Sequence, residues 1–265
     1  MKTTKSTRTT VAPTSNYPVP FEDPLQLLPR GRSGKALLRK FDTRNKALTV
    51  TKTAEDGVSG SISRSLIKVY SIWVSLIYPF ASKGCNLSVH YTCELPRSRA
   101  HRIKLGHSVQ IRKDAIIDVV APPEQNGEPI IVIDDEVLIS ARCRVSATNC
   151  IHIERDVIIG QSVLINDHGY AHGDATPGEE RGAEGGRIRI GQGSWIGQGA
   201  AIVASGGELV LGRNCVVGAN AVVTRSFPAY SVLFGNPAKV IKHFDPARNT
   251  WVLGSPLTAE TSLTG

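Results

Sequence analysis

The sequence lacks the cysteine patterns that mark disulfide frameworks and zinc ribbons. Its five cysteines are odd in number, and no two of them form a CxxC pair. Unpaired cysteines at this low frequency favour reduced thiols that fill a core. We therefore expect a cytoplasmic protein without structural disulfides or a zinc site.

Long apolar runs are also missing. The uncharged stretch 69–82 is shorter than the roughly 20 apolar residues that a membrane-spanning helix needs. No apolar run follows the basic start of the chain, as a secretion signal would require. Both absences agree with a cytoplasmic location.

Acidic residues are scarce in the first part of the chain. Residues 1–113 contain 20 Lys and Arg against 6 Asp and Glu, whereas residues 114–265 contain 11 against 17. The net charge of +8 therefore comes from the N-terminal part. Such an excess can attract an anionic membrane face or nucleic acid. No nucleic-acid-binding motif accompanies it, and we expect no nucleic-acid partner.

What the sequence does have is a branched aliphatic residue at every sixth position. Neither an α-helix nor an ordinary strand has this period, whereas a chain that coils in short flat strands stacks such residues inward on successive turns. The sixteen residues are Leu105, Ile111, Ile117, Ile133, Ile139, Val145, Ile151, Ile153, Ile159, Ile165, Ile190, Ile196, Ile202, Leu211, Val217 and Val223. The period predicts a mainly β fold of stacked hexapeptide repeats.

Small and turn-forming residues flank this repeat. Types that tolerate a tight or left-handed backbone directly follow the aliphatic residue. They are Gly106, Gly160, Gly191, Gly197, Gly212 and Gly218, with Asp118, Asp134 and Asn166 elsewhere. Slim residues that would fill a narrow interior occur four positions after the aliphatic residue. They are Val109, Ala115, Val137, Cys143, Val157, Val163, Ser194, Ala200, Cys215 and Ala221.

Four segments follow from composition and the repeat. Residues 1–60, rich in Thr, Ser, Lys, Arg and Pro, predict a basic extension that is partly disordered or arm-like. Residues 61–104 predict a helix and a connecting segment. Residues 105–228 predict the β-helix domain, and residues 229–265 a C-terminal loop, a short helical element and a tail.

The helix is predicted within residues 63–81. It begins with a plausible serine cap at Ser63, and its apolar stretch ends at Pro79. Tyr70 and Trp73 suit a helix that packs on the first coil and also one that lies at a membrane surface. Packing on the coil is the favoured interpretation, and peripheral contact with the inner face of a membrane through residues 63–81 stays open.

The largest interruption of the repeat runs from Asn166 to Arg187. It contains six glycines, two histidines and several acidic residues. Loops of this length inside compact domains are usually functional or disordered. The loop leaves a well-formed hexapeptide, so a rigid strand should hold its first residues. Its imidazoles, His168 and His172, are therefore candidate bases.

Two further segments are similar to those of a known family. The run Gly-Gln-Gly-Ser-Trp-Ile-Gly-Gln-Gly at 191–199 and the run Gly-Asn-Pro-Ala-Lys at 235–239 resemble the hexapeptide-repeat acyltransferases. The likeness spans about residues 105–243 and is nearest to the sugar and polysaccharide O-acetyltransferases. It implies a left-handed parallel β-helix with three hexapeptides per turn, a homotrimer, and acetyl transfer from acetyl-CoA to a glycan or small-molecule acceptor.

The resemblance also implies a catalytic histidine. In the family an Asp-His pair that leaves the coil ahead of a loop supplies it, and Asp167-His168 matches that place. An imidazole with an ordinary pKa near ~6.5 can accept the proton of a sugar hydroxyl as the hydroxyl attacks a thioester. We expect His168 to be the general base, with His172 as the second choice. Whether Asp167 or a backbone group orients the ring stays open.

Coenzyme A requires cations for its phosphates and a narrow slot for its pantetheine arm. By resemblance, seven residues match coenzyme-contacting positions. They are Trp195, Gln198, Ala219, Thr224, Arg225, Lys239 and Lys242.

Three alternatives remain. His168, His172 and Asp174 could be drawn as zinc ligands, as in β-helix enzymes of the gamma-class carbonic anhydrase type, but the sequence offers no convincing third histidine, and we expect no metal. The acceptor could be an amino sugar, serine or a hydroxylated antibiotic, with N- or O-acetylation. The coil could also be a non-enzymatic trimeric scaffold.

Overall fold

The computed structural model describes residues 58–120, 128–170, 183–245 and 248–254. Most of the predicted basic extension, residues 1–57, lies outside the described residues, as does the C-terminal tail after residue 254. The described chain forms a coil whose strands make three parallel sheets, here called sheets A, B and C.

From residue 103 onward, each turn of the coil contributes one short strand to each sheet, in the order A, B, C, whereas the first turn contributes strands to sheets A and B only. Sheet A consists of β1 (Ser82–Lys83), β3 (Ile103–Leu105), β6 (Ile131–Ile133), β9 (Cys150–Ile153), β14 (Arg187–Ile190) and β17 (Glu208–Leu211). Sheet B begins with β2 (Ser88–Val89), β4 (Gln110–Ile111), β7 (Leu138–Ile139), β10 (Ile158–Ile159), β15 (Trp195–Ile196) and β18 (Val216–Val217). Sheet C consists of β5 (Ile116–Val119), β8 (Arg144–Ala147), β11 (Leu164–Asn166), β16 (Ala201–Val203) and β19 (Val222–Val223).

The register of the strands explains the six-residue period. In sheet B, Ile139 pairs with Ile159, and Ile159 pairs with Ile196, so each aliphatic residue stacks on its equivalent one turn away. All sixteen repeat residues are at most 2% exposed, and so are the ten slim residues that follow four positions later. The predicted left-handed parallel β-helix with three hexapeptides per turn is confirmed.

The corners of the coil differ from the expectation in one respect. The left-handed backbone lies three positions after the aliphatic residue, and it is adopted by Ser108, Asp114, Glu136, Arg142, Asp156, Ser162, Gly193, Gly199, Asn214 and Asn220. The glycines directly after the aliphatic residue do not have this conformation. They are needed because neighbouring turns approach too closely for a side chain: a Cβ at Gly191 would lie 2.5 Å from the backbone nitrogen of Arg213.

An α-helix, α1 (Val58–Ile77), packs against β2. It begins five residues before the predicted serine cap and ends just before Pro79, which cannot continue a helix. Ser71 and Val74 are buried on the coil side, and the Ser71 hydroxyl accepts the backbone N–H of Val89 at 2.9 Å. No helix in the described part of the chain is long and apolar enough to cross a membrane. A 3₁₀ helix at Arg97–Arg102 leads into β3.

The described C-terminal residues form strands where a short helical element was predicted. β20 (Ser231–Phe234) continues sheet B, and the antiparallel strands β21 (Lys239–Asp245) and β22 (Thr250–Leu253) extend it. The ring of Phe244 on β21 contacts the ring of Trp251 on β22. Cross-strand aromatic contacts of this kind favour a hairpin over a helix. The expected helix is therefore wrong for residues 229–245 and 248–254.

Candidate active site

The base of the 166–187 loop lies at the edge where sheet C meets sheet A. After β11 the chain leaves the coil as a hairpin of β12 (His168–Tyr170) and β13 (Ala183–Gly185), which are antiparallel. The hairpin is tied to the coil by the Gly186 N–H, which donates to the Asp167 carbonyl. The Asn166 side-chain amide donates to the His168 carbonyl at 2.8 Å. The first residues of the loop are thus held by a rigid strand, as predicted.

Asp167 is buried and fully engaged. Its side chain is 0% exposed, and its carboxylate accepts the backbone N–H groups of Thr148, Asn149 and Cys150 at 2.7, 2.9 and 2.8 Å. These donors lie between the end of β8 and the first residue of β9, at the same edge between sheets C and A, on the preceding turn of the coil. A buried side chain that accepts several backbone N–H bonds is fixed in place. Asp167 therefore joins two turns of the coil.

The His168 ring contacts this carboxylate. Its Nδ1 lies 3.2 Å from Asp167 Oδ1, and 20% of its side chain is exposed. Because an ionised carboxylate only accepts hydrogen bonds, Nδ1 carries the hydrogen of the neutral ring. The Nε2 lone pair is then available as a proton acceptor. This contact places the Asp167 carboxylate where it can orient the His168 ring.

Cys150, whose backbone N–H binds Asp167, carries a thiol on the neighbouring turn. Burial raises the pKa of this thiol, although the charge of Arg187 acts in the opposite direction. The thiol therefore stays protonated at neutral pH and is a weak nucleophile. The chemistry available at this edge is proton transfer by an oriented imidazole.

The other members of the proposed metal set lie outside the described residues. His172 and Asp174 fall in the segment 171–182, so their relation to His168 is not defined. Among the described ranges, no three His, Cys, Asp or Glu side chains come together as metal ligands. A second imidazole–carboxylate pair occurs on the outer face of sheet A, where His152 Nε2 lies 2.9 Å from Asp134 Oδ2.

Successive turns of the coil stack closely along the edge between sheets B and C. A Cβ added at Gly160 would lie 2.8 Å from the backbone nitrogen of Gln198, and one at Gly197 would lie 2.7 Å from that of Ala219. Gln198 and Ala219 are themselves exposed on this edge. Trp195 on β15 is 47% exposed beside it. The structure therefore brings Trp195, Gln198 and Ala219 together along a narrow strip.

The predicted cations divide between two places. Lys239 and Lys242 lie on β21 beyond the last turn of sheet B, and the Lys242 ammonium lies 5.0 Å from the centre of the Trp251 ring. Thr224 and Arg225 follow β19 at the edge between sheets C and A, where the Arg225 guanidinium lies 5.0 Å from the centre of the Phe227 ring. All four contribute polar or cationic groups near the C-terminal end of the coil.

The predicted catalytic residue and the residues of the strip therefore occupy different edges of one chain, whereas Thr224 and Arg225 lie on the same edge as His168. His168 lies between sheets C and A, whereas Trp195, Gln198 and Ala219 lie on or beside the edge between sheets B and C. The width of sheet C separates the two groups. Sequence analysis missed the backbone N–H donors at residues 148–150, because a main-chain donor leaves no mark in the residue type.

Comparison with known proteins gives one curated relative and several solved structures. No protein-family model matches the sequence. The chain is 30% identical over 133 residues to a protein of Escherichia coli strain K12 named as a lipopolysaccharide biosynthesis O-acetyl transferase, WbbJ. The match covers 47% of this chain and 66% of WbbJ, so the chain spans just under two thirds of that relative.

Solved structures share the fold at low identity. A variant of AntD, an N-acyltransferase from Bacillus cereus in complex with dTDP and coenzyme A, superposes with a TM-score of 0.53 at 18% identity, over 65% of this chain and 87% of that one. A second AntD variant, in complex with dTDP-4-amino-4,6-dideoxyglucose and coenzyme A, gives 0.52 at 17% identity over 66% and 88%. These similarities establish the architecture.

Proposed function

We propose that this chain, which belongs to the hexapeptide-repeat acyltransferase family, transfers an acetyl group from acetyl-CoA to a hydroxyl of a sugar or polysaccharide intermediate. The observation that carries the proposal is the His168–Asp167 pair, an imidazole oriented by a buried carboxylate at the mouth of a loop. The relative named as an O-acetyl transferase supports a hydroxyl acceptor. Acetyl-CoA is a cytoplasmic metabolite, so we place the reaction in the cytoplasm.

In the proposed mechanism, His168 is the general base. Its Nε2 accepts the hydroxyl proton while the acceptor oxygen attacks the thioester carbonyl carbon. A tetrahedral oxyanion forms, and its collapse breaks the carbon–sulfur bond. The imidazolium then returns the proton to the leaving thiolate. Asp167 keeps its charge throughout, because its carboxylate stabilises the imidazolium and holds the ring in one tautomer.

The strip beside Trp195 is the proposed site for the pantetheine arm. Gln198 and Ala219 are exposed on neighbouring turns there, so a thin chain can lie along the edge beside them. The exposed Trp195 ring offers an apolar wall. Lys239, Lys242 and Arg225 lie toward the C-terminal end of the coil, where their charges would meet the phosphates of coenzyme A.

The separation of the two edges supports a homotrimer. In one chain the width of sheet C lies between His168 and the strip beside Trp195. Packing copies about a threefold axis can set the loop edge of one copy against the strip of the next. Each active site would then combine His168 of one copy with Trp195, Gln198 and Ala219 of its neighbour.

The test is an assay of the purified full-length protein for acetyl-CoA binding and for release of free coenzyme A thiol. The acceptor panel contains sugars, amino sugars, serine and hydroxylated antibiotics. Thiol release that depends on a hydroxylated sugar supports the proposal. Failure to bind acetyl-CoA, together with no thiol release on any acceptor, contradicts it.

N-acetylation of an amino sugar is a second candidate, because the AntD structures are of an N-acyltransferase. The same oriented imidazole could take a proton from an attacking amine. The product distinguishes the two: an O-acetyl ester is cleaved by alkaline hydroxylamine, whereas an amide survives the same treatment. A hydroxylamine-resistant product would favour the amino-sugar acceptor.

A further inference from the structure

The face of α1 that points away from the coil is apolar. Its side chains recur at helical spacing, and Leu76 is 76% exposed and Val69 65%. From residue 63 onward, where the structure describes the side chains of the helix, the exposed apolar residues are Leu66, Val69, Ile72, Trp73, Leu76 and Ile77. The opposite face, with Ser71 and Val74, already packs on β2. A contiguous apolar face of this kind usually marks an interaction surface.

The charge of the helix points to the nature of that surface. Arg64 and Lys68 are the only charged residues of α1, and the helix contains no acidic residue. The sequence before the helix continues the same sign, since residues 1–57 contain 11 Lys and Arg against 5 Asp and Glu. An apolar face bordered by basic residues is complementary to an anionic lipid surface.

Aromatic rings at the C-terminal end of the helix also suit contact with a membrane surface. Trp73 contacts Tyr70 and Tyr78 with ring centroids 5.6 and 5.8 Å apart, and Tyr78 stacks on Phe80 at 5.7 Å. Trp and Tyr combine an apolar ring with a polar group, and they are enriched at the boundary between lipid and water. Their position beside the apolar face is that of an interfacial anchor.

Contact between copies of the helix explains these features less well. An interface that brought the same face of two copies together would bring like charges together, with no acid on the helix to compensate them. A lipid surface that carries negative charge offers both an apolar interior and countercharge. We propose that the outward face of α1 docks this protein on an anionic membrane surface, with the helix axis parallel to the membrane plane.

The geometry of the helix suits such a position. From Leu66 to Ile77 the apolar face extends about 16 Å at the usual rise per residue. Helices of this type bury their apolar face roughly 5–10 Å into the headgroup boundary. The coil, packed on the other face of α1, would stay in the aqueous phase. This inference does not depend on the proposed acetyl transfer.

The experiment is co-sedimentation of the full-length protein with vesicles of phosphatidylglycerol and with vesicles of phosphatidylcholine. Leu76→Asp places a charge on the apolar face, and Leu253→Asp is the matched control, because Leu253 is also exposed (86%) but lies on β22. Both variants carry the same substitution and the same change in net charge. Acetyl-CoA binding is measured in parallel to show that the coil is intact.

The wild-type protein and Leu253→Asp are expected to bind phosphatidylglycerol vesicles, more weakly as salt rises. Leu76→Asp should bind them about ten-fold more weakly or worse, with unchanged acetyl-CoA binding. Equal vesicle binding by Leu76→Asp and Leu253→Asp would overturn the proposal, as would a wild-type protein that binds no vesicles. The proposal would also be overturned if Leu76→Asp formed a smaller oligomer than the wild type and still bound vesicles equally well. The apolar face would then join copies of the chain.

Discussion

At the scale of single residues, the proposed mechanism depends on the contact between His168 and the buried Asp167 carboxylate. Replacing His168 with Ala removes the proton acceptor and leaves the carboxylate with its three backbone donors. We expect kcat to fall by about 10²–10⁴, the usual contribution of a positioned general base. His152→Ala is the control, because it removes an imidazole from another histidine–aspartate pair at a distance from the loop. Near-native turnover of His168→Ala would remove the residue from the mechanism.

Asp167→Asn tests the anchoring of two coil turns. The amide keeps the shape of the carboxylate, but its NH₂ group must face backbone N–H donors at residues 148–150. We expect the free energy of unfolding to fall by about 2–4 kcal/mol, because charge-assisted hydrogen bonds to a buried group are lost. Urea unfolding at one fixed protein concentration measures this. His168→Ala should be close to wild type in the same experiment, and an equally stable Asp167→Asn variant would contradict the account.

Cys215 gives a prediction for alkaline pH. Burial raises the pKa of its thiol to about 11 from the ordinary value of 9.0. The folded state therefore holds this proton to a higher pH than the unfolded state, and the associated stability is present below pH 9 and lost as pH rises toward 11. The loss is up to about 3 kcal/mol.

Cys215→Ala provides the comparison for this pH dependence. Alanine occupies equivalent interior positions at Ala115, Ala200 and Ala221, so the variant should fold. Its unfolding free energy should fall less steeply between pH 8 and 11 than that of the wild type. Parallel pH profiles for the two proteins would show that the buried thiol does not contribute.

The sequence was sufficient to select His168 and Asp167 as candidates, but it did not predict that their side chains are in contact. Asp-His at the exit from a hexapeptide is visible in the residue types, and the need for an imidazole follows from the weak nucleophilicity of a hydroxyl. The contact between the two side chains depends on the carboxylate being held by main-chain donors from the previous turn. Any residue types could supply those donors, so no pattern in the sequence reports them.

At the scale of secondary-structure elements, the tight stacking of turns explains where glycine is required. A Cβ at Gly197 would lie 2.7 Å from the Ala219 nitrogen and 2.7 Å from the Val217 oxygen, whereas nothing lies within 4 Å of one at Gly207. Gly207→Ala should cost about 1 kcal/mol, since only its left-handed backbone is strained. Gly197→Ala should lower the free energy of unfolding by about 1–3 kcal/mol more than Gly207→Ala does, because two neighbouring turns of the coil must move apart to make room for the Cβ. Urea unfolding of both variants measures the order, and the reverse order would contradict this explanation.

The elements also show what a repeat can and cannot reveal. The six-residue period located sixteen buried residues. Fifteen of them pair in register with an equivalent one turn away, whereas Ile151 pairs with Ile131 and Ile188. The left-handed corner position was not found, since Ser, Asp, Glu, Arg, Asn and Gly all occupy it. There the geometry of the coil imposes the conformation, at a cost that the stacked core outweighs. The C-terminal hairpin was also missed, because its pairing depends on contacts between Phe244 and Trp251 that lack a regular period.

At the scale of the whole molecule, the two site edges and the helix face point in different directions. The loop edge carries His168, the neighbouring edge carries the strip beside Trp195, and α1 presents its apolar face away from β2. A trimer would join the first two and leave the third for a membrane. The prediction at this scale is that the native mass in solution is that of three chains, measured by sedimentation velocity.

The most direct test of the account is complementation between two inactive variants. His168→Ala removes the base, and Ala219→Trp fills the proposed pantetheine strip of the other edge. Hybrid trimers that contain both kinds of chain, isolated with two different tags, have one interface at which an intact His168 faces an intact strip. The account predicts that the hybrids recover about one third of the wild-type rate of acetyl transfer, while each variant alone is inactive. Hybrids as inactive as their parents would contradict it, because the two edges would then not meet across a subunit interface.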